Sequence, residues 1–108
     1  MDNKVLVKIV VLELDSSYDV FIPVNEQVWK ITRLIAKSIY DLSGFQYNPV
    51  ADKYILVNKN TGLVYANNSI VYDSDIRNGT ELLMVPIKAW HLFTILENIY
   101  WHDIKKMK

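Results

Sequence analysis

Two runs rich in aliphatic and β-branched residues open the chain, Val5 to Leu14 and Tyr18 to Val24, with only Asp15-Ser16-Ser17 between them. One stretch with helical spacing follows, and after it come several short strand-like runs. This order of hairpin, helix, then strands constrains the fold more than any bulk property of the chain. It fits an α+β domain in which a mixed sheet packs on a single helix.

The local signals behind that order are specific. Val and Ile suit a pleated strand, and Tyr18 to Val24 alternates Tyr18, Val20, Ile22, Val24 against Asp19, Phe21, Pro23. Pro23 has no amide to give to a ladder, so it belongs at the end of the paired region or facing away from the first strand. Asn25 is placed as a helix N-cap, and Val28, Ile31, Leu34, Ile35, Ser38, Ile39 and Leu42 recur on one face, which predicts a helix from Glu26 to Leu42. Gly44 stands where a left-handed C-terminal cap is expected. Beyond the connector Phe45 to Asp52, Lys53 to Asn58 reads as a third strand. Asn60-Thr61-Gly62 turns it into a short strand at Leu63-Val64-Tyr65. Ile70-Val71-Tyr72 is brief, Arg77-Asn78-Gly79-Thr80 turns, and Glu81 to Val85 closes the sheet.

Composition excludes several kinds of function. At 108 residues and 51% hydrophobic, the chain has room for one well-filled domain. Its 12 basic and 12 acidic residues cancel, so bulk charge draws it neither to nucleic acid nor to anionic lipid. The absence of cysteine removes disulfides, thiol nucleophiles, iron–sulfur clusters and thiolate zinc sites. The N-terminal apolar run is interrupted by Lys8 and Glu13 and does not read as a signal peptide, and no apolar segment reaches the ~18 residues of a membrane span. A cytoplasmic location is expected.

Three segments carry a family resemblance: Tyr18-Asp19-Val20-Phe21-Ile22-Pro23-Val24 leading into the helix, the Asn58-Lys59-Asn60-Thr61-Gly62 turn, and Asp73 to Val85 with its Asp-x-x-Ile-x-x-Gly-x-x-Leu ending. Residues 4–85 resemble ubiquitin-like, or β-grasp, proteins, and among them look most like the small bacterial YukD/EsaB accessory proteins of type VII secretion systems. The resemblance implies a non-enzymatic cytosolic adaptor that contacts membrane-bound secretion machinery. A conjugated modifier would need a terminal Gly-Gly, and this chain closes on Lys105-Lys106-Met107-Lys108. The expected organisation is a β-grasp domain over 1–85 and a C-terminal helical extension over 86–108.

The resemblance also phases the strands. Matching Ile76 and Leu82 to inward positions places Leu82 and Met84 in the core, with Leu83 and Val85 outward by the two-residue period. The same matching points Ile55 and Val57 inward and Tyr54 and Leu56 outward. In the first strand, Val5, Val7, Ile9 and Val11 face the helix and Leu6, Lys8, Val10 and Leu12 face away, which leaves Lys8 in water. The expected protein-interaction patch is therefore Leu6, Val10, Tyr54, Leu56, Leu83 and Val85.

The tail supplies the rest of the candidate surface. Trp90, Phe93, Leu96, Tyr100, Ile104 and Met107 recur at steps of three and four after Pro86, which predicts an amphipathic helix carrying Trp90, Phe93 and Tyr100 as contact residues. Its partner is the sheet face of its own domain, the same face of a second copy in a homodimer, or another protein. A membrane-surface role is disfavoured by Glu97 and Asp103 opposing the terminal lysines.

No catalytic, cofactor or metal site is expected. His91 and His102 would lie about 16 Å apart on one helix at ~1.5 Å per residue and cannot share an ion. Ser16, Ser17 and Ser43 lack a base with an orienting partner. Asp73 and Asp75 read as loop acceptors of hydrogen bonds. Trp29 and Tyr40 fall beside the main helix face, either as partly exposed recognition residues or packed against a loop that holds Phe45 and Tyr47, the second being the commoner role.

Overall fold

The computed structural model describes residues 3–44 and 54–87. Within them lie strands β1 (Lys4–Val11) and β2 (Ser16–Pro23), helix α1 (Val28–Leu42), and strands β3 (Tyr54–Asn58) and β4 (Glu81–Pro86). The four strands form one sheet in the order β2-β1-β4-β3. β1 pairs antiparallel with β2 and parallel with β4, while β3 pairs antiparallel with β4. This is the expected mixed sheet on one helix. The connector 45–53 and the tail 88–108 lie outside the described residues.

The sequence pattern follows from position in the sheet. β1 and β4 are central, with neighbours on both sides, and both read as nearly unbroken aliphatic runs. β2 is an edge strand and alternates: Val20 and Ile22 are buried toward α1, whereas Asp19 and Phe21 are exposed. Pro23 sits opposite Lys4 at the very end of the ladder, where its missing amide costs nothing.

The hairpin connection is longer than the Asp-Ser-Ser turn expected. β1 stops at Val11, and Leu12–Leu14 form a 3-10 turn ending in Asp15 at a φ of 48°. Aspartate tolerates this left-handed conformation because its short polar side chain can bond locally.

The helix start departs from expectation in an informative way. Gln27, not Asn25, is the cap residue, and it provides no side-chain cap. The first free amides are instead satisfied by a distant loop: Val28 donates to the Ser69 carbonyl at 2.9 Å and Trp29 to the Asn67 carbonyl at 3.0 Å. Val71 and Tyr72 donate back to the carbonyls of Glu26 and Val24, so segment 67–72 is stitched to the junction of β2 and α1. Ile70 therefore forms a single bridge with Gln27 rather than a strand, and Val71–Asp73 coil into a 3-10 turn. The strand expected at Leu63–Tyr65 is likewise reduced to one bridge, Val57 with Val64.

At its other end α1 stops as expected, with Gly44 in the left-handed region at a φ of 68°. Its buried stripe is Val28, Ile31, Thr32, Ile35, Ala36 and Ile39. Leu34 and Leu42, expected on that face, are exposed. The stripe is rotated toward the compact side chains Thr32 and Ala36. Packed beneath it are Val7, Ile9 and Val11 of β1, Val20 and Ile22 of β2, Tyr54 and Leu56 of β3, and Leu82 and Met84 of β4.

Candidate functional site

The sheet face opposite α1 is where a domain of this shape has surface to offer, and its composition follows from the register. β4 places Leu83 and Val85 there, as expected, and β1 contributes Val10. For β3 the expected phase is corrected. Tyr54 and Leu56 point into the core beneath α1, and Ile55 and Val57 occupy the outer face. The run Tyr-Ile-Leu-Val is apolar on both sides and carries no phase of its own. Asn58 sets it.

Asn58 is buried on the helix side, where its amide donates to the Tyr65 hydroxyl at 3.1 Å and its carbonyl oxygen accepts from the amides of Asn60 and Thr61. The Tyr65 hydroxyl in turn donates to Asp75 at 2.5 Å. Burial first, then the hydrogen bond to the Asp75 carboxylate, push the Tyr65 pKa upward, while the bond from Asn58 acts the other way. With Asn58 held in this network, Leu56 and Tyr54 must share its face by the two-residue period.

The outer face divides into three parts. The first is a closed aliphatic cluster: Val10, Val57, Leu83 and Val85 are 1%, 0%, 0% and 4% exposed, with Leu12 and Ile55 packed against them. Val10, Leu83 and Val85 are thus on the expected face, yet they are buried rather than open. The second is a row of charges across the sheet. Lys59 pairs with Glu81 at 3.5 Å, Glu81 stands opposite Lys8, and Lys8 stands opposite Asp19. The third is an exposed corner where Leu6 and Phe21, directly opposite across β1 and β2, are 37% and 58% exposed.

A shallow groove runs along this corner, lined by Leu6, Lys8, Asp19, Asn78, Gly79 and Glu81. Its wall is built by the last turn. Leu6 donates its amide to the Asn78 side chain at 2.8 Å, Gly79 donates to the Leu6 carbonyl at 2.8 Å, and Lys8 donates to the Thr80 carbonyl at 3.0 Å. Gly79 adopts a φ of 87°, which places it in the region that glycine enters without cost.

Of the expected interaction residues, then, Leu6 is exposed, Val10, Leu83 and Val85 are buried in the outer cluster, and Tyr54 and Leu56 are buried beneath the helix. Trp90, Phe93 and Tyr100 lie outside the described residues. Phe21 was not singled out from the sequence. Its place in the alternation against Val20 and Ile22 was the available signal, and the Leu6 pairing that makes it part of an apolar corner emerges only from the register.

On the opposite side of the domain, the exposed Trp29 ring sits between Lys30 and Arg33, whose charged ends lie 5.4 and 5.3 Å from its centroid. Its indole donates to the Gln27 side chain at 2.8 Å. The Ser16 and Ser43 hydroxyls donate to the carbonyls of Leu14 and Tyr40, which are turn and helix-end roles. Among the described residues no group of three or more His, Cys, Asp or Glu is placed to hold a metal, and no helix is long and apolar enough to cross a membrane. His91 and His102 lie outside the described residues.

No family model matches the chain, and no curated protein matches it. Solved structures do. A chain of the toluene 4 monooxygenase HD complex aligns over 77% of this chain and 98% of its own length, at 10% identity and a TM-score of 0.62. A chain of the MycP5-free ESX-5 inner membrane complex aligns over 90% of this chain and 27% of its own length, at 15% identity and a TM-score of 0.65. A ubiquitin-like domain from Arabidopsis thaliana aligns over 79% of each chain, at 14% identity and a TM-score of 0.54. At these identities the likeness establishes the fold, a ubiquitin-like β-grasp.

Proposed function

We propose that this protein is a non-enzymatic ubiquitin-like adaptor, acting in the cytoplasm as an accessory of a bacterial type VII secretion system in the manner of the YukD/EsaB family. The observation that carries an interaction role is the Leu6–Phe21 corner, two large apolar side chains held side by side in solvent at the free edge of the sheet. Paired exposed apolar groups beside an unpaired strand edge are the features a protein partner recognises. The neighbour from the ESX-5 inner membrane complex supports the choice of secretion machinery as the partner.

The test is affinity capture of the full chain from its native host, run beside Phe21→Asp and Leu6→Asp. Both side chains are exposed, so the variants retain the fold. Recovery of a secretion ATPase or membrane component that is lost with both variants supports the reading. Recovery that survives both substitutions removes the corner as the binding surface.

A second reading is favoured by the match that takes in 98% of a chain from an oxygenase complex. In it, the domain is a structural or regulatory subunit of an unrelated assembly. Stoichiometric co-purification with enzyme subunits, unaffected by salt, would decide for it.

A further inference from the structure

We infer that the closed aliphatic cluster on the outer face is covered by the chain's own C-terminal segment, residues 88–108. A side chain standing on a sheet with only solvent above it keeps its outer atoms wet. Exposures of 1%, 0%, 0% and 4% at Val10, Val57, Leu83 and Val85 therefore require a second layer, which packs about 10 Å above a sheet. None of the described elements supplies it: the buried hydrophobic residues of α1, Val28, Ile31, Ile35, Ala36 and Ile39, belong to the core on the other face, and the partly buried neighbours of the four are Leu12 and Ile55, within the same layer.

Three features assign the cover to the tail. β4 ends at Pro86, one residue past Val85, so the chain leaves the sheet at the rim of this cluster. The segment that follows carries Trp90, Phe93, Leu96, Tyr100, Ile104 and Met107 at helical spacing, an apolar stripe of the size that aliphatic cluster needs. As a helix it would extend about 30 Å at ~1.5 Å per residue. Crossing β3, β4 and β1 at ~4.8 Å spacing takes roughly half of that. The competing segment, 45–53, is tethered at both ends, to Gly44 at the end of a helix on the opposite face and to Tyr54 at the start of β3, whereas the tail is tethered only at the cluster's own rim.

This inference does not rest on the secretion reading, and its test is separate from partner capture. The full-length protein, labelled at Val, Leu and Ile methyls, is measured for nuclear Overhauser contacts from Val10, Val57, Leu83 and Val85 to aromatic protons. Contacts to Trp90, Phe93, Tyr100 or Trp101, in dilute samples that sediment as monomers, are expected. A sample mixing labelled with unlabelled chains distinguishes the alternatives. Contacts that arise only between copies would overturn the inference in favour of a dimer. Contacts to Phe45 or Tyr47 alone, or none to any aromatic ring, would overturn it as well.

Discussion

Truncating Leu83 and Leu6 separately asks whether the outer face is a second core or an open surface. Leu83 is fully buried on that face and Leu6 is 37% exposed on the same face, so the two differ in cover rather than in chemistry. Leu83→Ala deletes three carbons, a transfer loss of about 2.4 kcal/mol at ~0.8 kcal/mol per methylene. The residual cavity adds to this, giving roughly 3 kcal/mol within the ~2–5 kcal/mol range of buried leucine truncations. Leu6 is 37% exposed, so Leu6→Ala is expected to cost under about 1 kcal/mol. Urea denaturation of both variants beside the parent protein reads the difference as midpoint shifts at constant m-value. Equal small losses would refute the reasoning, because they would mean that Leu83 is as free of cover as Leu6.

Asn58→Ala removes one bond to Tyr65 and two to the turn amides of Asn60 and Thr61, so at about 1 kcal/mol each a loss of 2–3 kcal/mol is expected by chemical denaturation. A loss under about 1 kcal/mol would mean that this side chain does not fix the strand phase. Because the Tyr65 pKa is raised in the folded protein, its contribution is fully present below the ordinary tyrosine pKa of ~10 and is lost as pH rises above that, where unfolded chains ionise first. The midpoint temperature should accordingly fall less steeply between pH 9 and about 11.5 in Tyr65→Phe than in the parent; identical slopes would contradict the hydrogen-bond network. Gly79→Ala meets no atom within 4 Å but forces alanine to a φ of 87°, so a loss of about 1–2 kcal/mol with the binding corner intact is expected. Loss of partner capture along with stability would instead mean that the turn shapes the groove.

The sequence was most legible where one face of an element is wet. β2 alternates because it is an edge strand, and the spacing separates Tyr18, Val20, Ile22 and Val24 from Asp19, Phe21 and Pro23, of which the structure buries Val20 and Ile22. The ends of α1 divide the same way. Gly44 announces the C-terminus because a left-handed residue there needs glycine, whereas the N-terminus is capped by carbonyls of Asn67 and Ser69, some 40 residues downstream, and no local motif encodes that. Strand β3 was placed one residue out of phase for a related reason. Tyr54-Ile55-Leu56-Val57 is apolar on both faces, so periodicity was silent, and the ubiquitin-like pattern supplied a phase that the Asn58 network overrides. Phe21 is separable by spacing from Val20 and Ile22 but not recognisable as part of a site, since its partner Leu6 is fixed by register and not by spacing.

The two central strands explain why so little of the outer sheet face is open to solvent. Val10 of β1 and Leu83 and Val85 of β4 put aliphatic side chains on the face away from α1, and a stretch of sheet that is aliphatic on both sides is stable only when both are covered. One helix can cover one face. A chain with this pattern must therefore find a second cover, and whatever supplies it occupies the central part of the outer sheet face. What remains is bounded by the Lys59–Glu81 pair, Lys8 and Asp19: on one side of that row the face is closed, and on the other Leu6 and Phe21 stand in solvent next to β2, an edge strand among the described residues. Two side chains alone are far short of the ~800 Å² per partner of a stable interface. On the proposed adaptor reading, a partner that binds here must also engage the groove beside Asn78 and Gly79 or the backbone of β2, so that recognition would lie at the β2 edge rather than at the centre of the sheet.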